Sequence, residues 1–518
     1  MKHYSILHSA EIDGIDAKLI EVETDIHVGV HSFNIIGLAD KALSEAKERV
    51  NAALKNIGVK APNRENRKIV INLAPADWKK TGSHYDVAIA IGYLTATKQI
   101  KEFDTKNKIF IGELSLEGKL RPINGALNTA LLAKKLGFQY LFLPKQNAAE
   151  AAIVEGVDII PIEDLLQLIS VLEGKTPLTI QPPTNIEYSR QSGLPDISEI
   201  KGQATAKRVL SIAAAGGHNV LMIGPPGTGK TMLAQSLTSI LPPLSHEEVI
   251  DVTKIYSAGN LLQNIPYVAS RPFRSPHQTA SPASVIGGGQ NPRPGEISLA
   301  HRGVLFLDEI PEFRRDILEA LRQPLENGSI TISRAKNNLH FPAKFMFIAA
   351  MNPCPCGYNG DPQKECKCSP YEVIRYQKKV SGPLLDRIDL QINVPRLAIE
   401  DLKTKATEKA LAEADAMRLN IIAARQIQKE RFEKINRKHK HPKYANAELS
   451  SKEVDELIEI ESAAEKFIKN VFDQSMLSPR SYYRILKTAR TIADLEKSDI
   501  VREGHIAEAM SYRIKMNS

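Results

Sequence analysis

The chain has 518 residues, 42 % of them hydrophobic and 25 % charged, the balance of an ordinary globular protein and too apolar for a disordered one. It holds no apolar run long enough to span a bilayer, no apolar leader after Met1, and only four cysteines, all between Cys354 and Cys368. A spanning helix and a disulfide-stapled secreted scaffold are therefore not expected, and the expected location is cytoplasmic, with no membrane partner. The net charge of +8 permits a polyanion partner without requiring one.

Length alone suggests about three or four domains. Residues 1–172 alternate short apolar runs with helical stretches. Ile69–Leu73, Ile109–Gly112 and Tyr140–Leu143 read as strands, and Lys41–Ile57 and Gly125–Leu136 as helices, so this segment is an α/β domain with its own core. Residues 173–197 lose all periodicity among Gly174, Pro177, Pro182, Pro183, Gly193 and Pro195, which predicts an extended, semi-stiff linker.

A second α/β domain is predicted over 198–395. The apolar run Asn219–Ile223 leads into Gly224-Pro225-Pro226-Gly227-Thr228-Gly229-Lys230-Thr231, which fits the phosphate-binding loop G-x-x-x-x-G-K-[ST]. The glycines let backbone N–H groups turn toward phosphate oxygens. Lys230 is placed to reach β- and γ-phosphates, and the Thr231 hydroxyl to hold Mg²⁺. A helix is expected over Met232–Ile240. Regular patterns then lapse between Ile255 and Ile297, an insertion carrying Arg271 and Arg274; irregular stretches of such length are usually functional.

Val304–Leu307 reads as a buried strand with Asp308 and Glu309 emerging at its C-terminal end, the edge where open α/β sheets bind ligands. Asp308 suits the Mg²⁺ shell, and Glu309 suits a group that orients and polarises water. Phe345–Met351 is a further strand ending in Asn352, a candidate to hydrogen-bond that water or the γ-phosphate. Between them, Ser329–Phe341 reads as a hairpin whose tip carries Arg334 and Lys336. Residues 396–518 are predicted helical, and Ser478 is a plausible cap for a helix bearing Arg480 and Arg484. Between Arg425 and Lys443 stand eight basic residues and two acidic ones, either a solvated helix face or a nucleic-acid contact.

Cys354-Pro355-Cys356 and Cys366-Lys367-Cys368 form two C-x-C pairs. Four thiolates on one short excursion suit tetrahedral Zn²⁺ in a structural site, although C-x₂-C spacing is commoner; free reduced cysteines are the alternative.

Two resemblances bear on function. Gly112–Gly125 and Asp77–Gly82 resemble parts of the Lon protease domain, which implies a Lon-like (ribosomal S5 domain 2-like) fold. Lon-type proteases use a Ser–Lys dyad. Here Tyr85 and Asp86 follow where a small-Ser-small segment is needed, and no lysine stands near Asn128 or Thr129. Ser83 reads as a loop serine, a poor nucleophile without an activating amine, so the expectation is a non-proteolytic domain, with Ser83 and Lys79 or Lys80 as a cryptic dyad the alternative.

Gly295–Gly303, the Asp308-Glu309 strand, Ser381–Asp389 and Ser478–Arg484 together resemble magnesium-chelatase-like AAA+ ATPases of the ComM/YifB type, over nearly the whole chain. That resemblance implies a P-loop AAA+ core followed by a helical lid domain and a hexameric ring using ATP. It implies Arg387 as an arginine finger acting on a neighbour's nucleotide and Arg480 as the second sensor. It also implies a motor on DNA that promotes branch migration during natural transformation, with Arg271, Arg274, Arg334 and Lys336 as phosphate contacts. For Arg387 the bland alternative is a local ion pair with Asp386 or Asp389. A protein-remodelling ATPase and a chelatase-type ATPase subunit are the competing functions. The likeness to true chelatase subunits is expected in the ATPase core only.

Overall fold

The computed structural model describes residues 4–37, 41–64, 66–76, 80, 82–189, 191, 193–263, 265–289, 292–333, 338–397, 408–437, 442–474 and 478–513. Arg334 and Lys336 at the hairpin tip, Lys79, and most of Asp77–Gly82 lie outside the described residues. The chain forms two compact units, Met1–Glu187 with Ser245–Val268, and Tyr188–Leu244 with Ala269–Ser518.

The first unit contains strands β1 (Tyr4–Asp13), β2 (Asp16–Val28), β3 (Ser32–Ile36), β4 (Arg67–Ala74), β5 (Lys108–Phe110), β6 (Glu113–Leu114), β7 (Leu120–Arg121), β8 (Tyr140–Pro144) and β9 (Asp158–Ile162). Seven of them form one sheet in the order β3-β4-β2-β1-β5-β8-β9, and β6 with β7 makes a separate ribbon. Along β4 the residues alternate, and Ile69, Ile71 and Leu73 face the core, the period of a strand half-buried on one face. The helix Asp86–Ala96 is apolar nearly all round and buried along almost its whole length, as a helix sandwiched in a core must be.

The helix His246–Ala258, started by a Ser245–Glu248 capping box, packs with this first unit rather than within the 198–395 segment to which the sequence assigned it. Gly125 N–H donates to Ser257 O at 3.3 Å, Asn128 Nδ2 to Lys254 O at 3.1 Å, and Ser257 Oγ to the buried Glu150 carboxylate at 2.5 Å. Periodicity identifies such a helix but not the surface it covers. The predicted linker is likewise tied down in part, since Gln181 N–H donates to Ile159 O at 2.8 Å and Thr184 Oγ1 to Ala149 O at 2.7 Å.

The second unit is built on β10 (Val220–Ile223), β11 (Phe273–Arg274), β14 (Val304–Leu307), β17 (Met346–Met351) and β18 (Leu390–Asn393). They form an all-parallel five-stranded sheet in the order β11-β14-β17-β10-β18. Two hairpins stand apart from it, β12 (Gly287–Gly288) with β13 (Arg293–Pro294), and β15 (Ser329–Ser333) with β16 (Asn338–Pro342). Every residue of β10, β14 and β17 is buried. That explains continuous apolar runs in place of alternation, because a parallel sheet is covered on both faces.

Beyond residue 407 the described chain is helical: Glu408–Asn436, Ser451–Leu457, Ser462–Gln474, Pro479–Leu495 and Glu503–Ser511. Ile421, Phe432, Ile485 and Ile492 from these helices share one hydrophobic core with Val220, Val304 and Ile348 of the sheet. Three members of the basic run between Arg425 and Lys443 turn inward. Arg425 donates to Ala214 O at 2.9 Å, Arg431 pairs with Asp494 at 2.5 Å and Lys443 with Glu453 at 2.9 Å, so those three charges are structural.

Candidate nucleotide site

The parallel sheet lines up the C-terminal ends of three strands. Ile223 is level with Met351, and Leu307 with Ala349, so the residues immediately after β10, β17 and β14 emerge along one edge. Gly224 leaves β10 with no room for a side chain, since a Cβ there would stand 2.3 Å from Val394 O. Gly227 and Gly229 adopt φ of +79° and +83°, the left-handed region glycine enters without strain. The loop then runs into the helix Lys230–Ser236 and a 3₁₀ turn Leu237–Ser239.

Lys230 is folded back into this loop. Its Nζ donates to Gly224 O at 2.7 Å, to Pro225 O at 2.9 Å and to Asn352 Oδ1 at 3.2 Å. Burial lowers the pKa of its ammonium, and Asp308 and Glu309 act against that shift. The Thr231 hydroxyl donates to Asp308 Oδ2 at 2.6 Å. A hydroxyl beside a carboxylate is the hard oxygen donor set that Mg²⁺ accepts beside phosphate. Asp308 Oδ1 accepts the Glu309 N–H at 2.9 Å. Glu309 itself is exposed, with φ of +51°, an uncommon conformation for this residue type and one that clusters at functional sites. Lys230, Thr231, Asp308, Glu309 and Asn352, widely separated in sequence, thus meet at one sheet edge.

Arg387 lies elsewhere. It precedes β18, and its carbonyl accepts from Asn219 Nδ2 at 2.9 Å, just before β10 begins. This is the N-terminal edge of the sheet, with the whole of β10 between it and the chain's own phosphate loop. The residue is buried, 7 % exposed, and its guanidinium donates to Pro383 O and pairs with Glu326 at 2.5 Å. Glu326 also accepts from Arg480. The two arginines assigned to nucleotide sensing are therefore gathered on a single carboxylate, a residue with no sequence signal beyond being an acid in a short helix. The expected alternative pair with Asp389 does not form. That buried carboxylate is engaged by Arg484 at 2.6 Å and Asn219 N–H at 3.0 Å. Burial would push the Asp389 pKa up, but Arg484 and then His218 hold it far below the carboxylate range. Ser478 caps the Arg480 helix as predicted, accepting from Ser481 N–H at 3.2 Å.

The insertion arginines have other uses than the one expected of them. Arg271 donates to Pro242 O at 2.6 Å and Arg302 O at 2.7 Å, and Arg274 forms a two-pronged pair with Glu296 at 2.5 and 2.7 Å. Both guanidiniums brace the second unit. In the first unit Ser83 Oγ donates to the Glu113 carboxylate, and the buried Lys80 donates to Pro75 O. Asn128 and Thr129, near the position of a Lon lysine, are hydrogen-bonded to the backbone carbonyls of Ile15 and Gly125 at 2.6 and 2.9 Å.

The four cysteines converge. The Sγ atoms of Cys354, Cys356, Cys366 and Cys368 all lie within 4.8 Å of one another, and three of the separations are 3.4–3.6 Å. Tetrahedral Zn²⁺ with Zn–S of about 2.3 Å needs sulfurs roughly 3.8 Å apart, so the cluster fits such an ion closely. The Tyr358 N–H draws the Cys356 pKa down to about 6; the Cys356 N–H acts to lower Cys368, yet burial and the neighbouring thiols push it up to about 12.

A glycine-rich loop leaving one parallel strand, with a carboxylate pair leaving another, defines a P-loop nucleotide-binding α/β protein. Three family models match in order: "Subunit ChlI of Mg-chelatase" over residues 22–147, "Magnesium chelatase, subunit ChlI" over 196–402 and "Magnesium chelatase, subunit ChlI C-terminal" over 412–513. The chain is 41 % identical to competence protein ComM of Haemophilus influenzae over 515 residues, covering 98 % of this chain and 97 % of that one. It is 40 % identical to YifB of Escherichia coli with the same coverage, and 24 % identical to the magnesium-chelatase 38 kDa subunit of Cereibacter sphaeroides over 173 residues, 30 % of this chain and 52 % of that one. The chain belongs to the ComM/YifB family of magnesium-chelatase-like AAA+ proteins. The chelatase likeness reaches the C-terminal third as well, where the sequence had placed it in the core alone.

Proposed function

We propose that the chain is an ATP-hydrolysing motor that assembles into a ring, most simply a homohexamer, and acts on DNA, promoting branch migration of recombination intermediates during natural transformation. The observation that carries the reading is the meeting of Lys230, Thr231, Asp308, Glu309 and Asn352 at one sheet edge. In this reading the Gly224–Gly229 backbone and Lys230 bind the β- and γ-phosphates, Glu309 orients and polarises the attacking water, and Asn352 positions it. Mg²⁺, held by Thr231 and Asp308, would supply charge neutralisation on the phosphates. Arg387 and Arg480, gathered on Glu326 at the other edge, serve the nucleotide of the adjacent subunit.

The case for DNA rests on family. A relative over the full length is named a competence protein, and the family resemblance implies branched DNA as substrate. Arg334 and Lys336, which fall in sequence between β15 and β16, are the residues proposed to track phosphates. Arg271 and Arg274 are not carried forward, since both are spent inside the unit. A phosphate-tracking motor should lose DNA affinity linearly in log[salt], and a salt-independent affinity would remove Arg334 and Lys336 from this role. A second reading, a chelatase-type ATPase subunit, draws on the match over residues 412–513 and predicts turnover indifferent to DNA.

Two outcomes are expected of the site itself. Lys230→Ala should lose nucleotide binding, because the ammonium that compensates phosphate charge is gone; retained binding in a fluorescent-nucleotide titration would refute the loop assignment. Zinc should co-purify at about one per chain. Elemental analysis showing no zinc above background, in protein prepared without added metal, would return the cysteines to free thiols.

A further inference from the structure

The cysteine cluster is not remote from the nucleotide loop. Cys354 comes two residues after Asn352, and Asn352 accepts from Lys230 Nζ at 3.2 Å. The turn after Cys354 closes through Gly357 N–H to Cys354 O at 3.0 Å and Asn359 N–H to Cys354 Sγ at 3.3 Å. Gly357 has φ of +87°, and a Cβ on it would stand 2.6 Å from Pro226 Cδ and 2.7 Å from Cγ. The backbone of the cysteine turn therefore lies directly against the proline of the phosphate loop, with only a glycine able to sit there.

The turn has little else to hold its shape. Of residues 355 to 369 only Gly357 is buried, so the excursion has no apolar core of its own. Its start is tethered by Gln377 Nε2 donating to Pro353 O at 3.0 Å, and its middle by Arg396 to Asp361 at 2.8 Å. Local ties add to this, since Asp361 N–H donates to Tyr358 O at 3.0 Å and Arg396 lies over the Tyr358 ring, and an ion shared by the four thiolates would cross-link the two ends of the excursion, as in small metal-folded modules. A rigid turn fixes Pro226 from one side and, through the start of the excursion, Asn352 and Lys230 from the other.

We infer that metal bound by Cys354, Cys356, Cys366 and Cys368 is a brace for the phosphate loop, so that nucleotide affinity depends on metal occupancy although no cysteine touches nucleotide. The inference rests on the readings of Gly224–Thr231 as the nucleotide site and of the cysteines as a zinc site. If loss of the metal leaves about a tenth of chains with the loop in its binding geometry, apparent affinity falls about tenfold.

The test uses the full-length chain in three states: as purified, stripped by prolonged chelation, and stripped then resupplied with Zn²⁺. Zinc content, fluorescent-ADP affinity and the circular dichroism of the chain are measured on each. A Cys366→Ser/Cys368→Ser variant and Gly357→Ala are run alongside. The expected result is zinc near one per chain, affinity about tenfold weaker on stripping with the dichroism kept, and recovery with Zn²⁺. Gly357→Ala should weaken nucleotide while retaining zinc. Affinity unchanged within about twofold after zinc is lost would overturn the brace and leave both site readings standing. A chain that neither carries nor takes up zinc would overturn the brace together with the zinc reading. Absence of nucleotide binding in every state would do the same to the loop reading. If the cysteine variant fails to fold, the stripped and resupplied wild-type chain still decides the matter.

Discussion

Arg387→Ala should bind ATP as the parent chain does and hydrolyse it about 10³–10⁵ times more slowly, the loss typical of an arginine finger. The cation would act by stabilising charge on the equatorial oxygens of the transferring group, a term absent from ground-state binding. Geometry makes the claim sharper. β10 has four residues, about 13 Å at roughly 3.3 Å per residue, and Arg387 lies at the end of it opposite its own phosphate loop. A role in catalysis is therefore open to it only across a subunit interface. In the structure its guanidinium is turned onto Glu326, so assembly must draw it away. Mixing Arg387→Ala with Lys230→Ala subunits should then restore some activity, because one interface pairs an intact loop with an intact arginine. If both variants assemble and the mixture stays inactive, Arg387 is a local tie to Glu326 and nothing more.

Glu309→Gln should keep ATP binding and lose turnover by about 10²–10⁴, the usual worth of a positioned general base. The carboxamide fills the same space but cannot polarise water as an anion does. Binding survives because Lys230, Thr231 and Asp308 keep their contacts, and the Glu309 N–H that Asp308 accepts belongs to the backbone. Phosphate release in single turnover, measured beside nucleotide affinity, separates the two effects. Turnover near the parent rate would remove Glu309 from the chemistry and leave Asp308 as the only carboxylate of the pair with a function.

The grouping of the candidate nucleotide-site residues was legible because each of its parts is local. Gly224–Thr231, Asp308-Glu309 and Asn352 each come directly after a short buried strand, and parallel strands deliver their C-terminal loops to a common edge. The contact between Thr231 and Asp308 needs only that rule. The convergence of the cysteines was legible for a similar reason, as both C-x-C pairs belong to one excursion. Other features depend on distant partners. Glu326 binds an arginine 154 positions away, and nothing near it marks it out. Arg271 and Arg274 were read from their charge, but charge does not say that backbone carbonyls and Glu296 will consume it. The helix His246–Ala258 was not singled out in the sequence, and its packing with the first unit depends on Glu150 and Asn128, which its own pattern does not contain.

ATPase activity measured with no polymer, with single-stranded DNA, with duplex, with a branched junction and with an unfolded protein decides whether the chain is a motor driven by ATP and engaged on DNA. Stimulation by DNA, strongest with the branched junction and abolished in Glu309→Gln, is the predicted result. Stimulation by the unfolded protein alone would rule out a DNA motor and make the chain a protein remodeller.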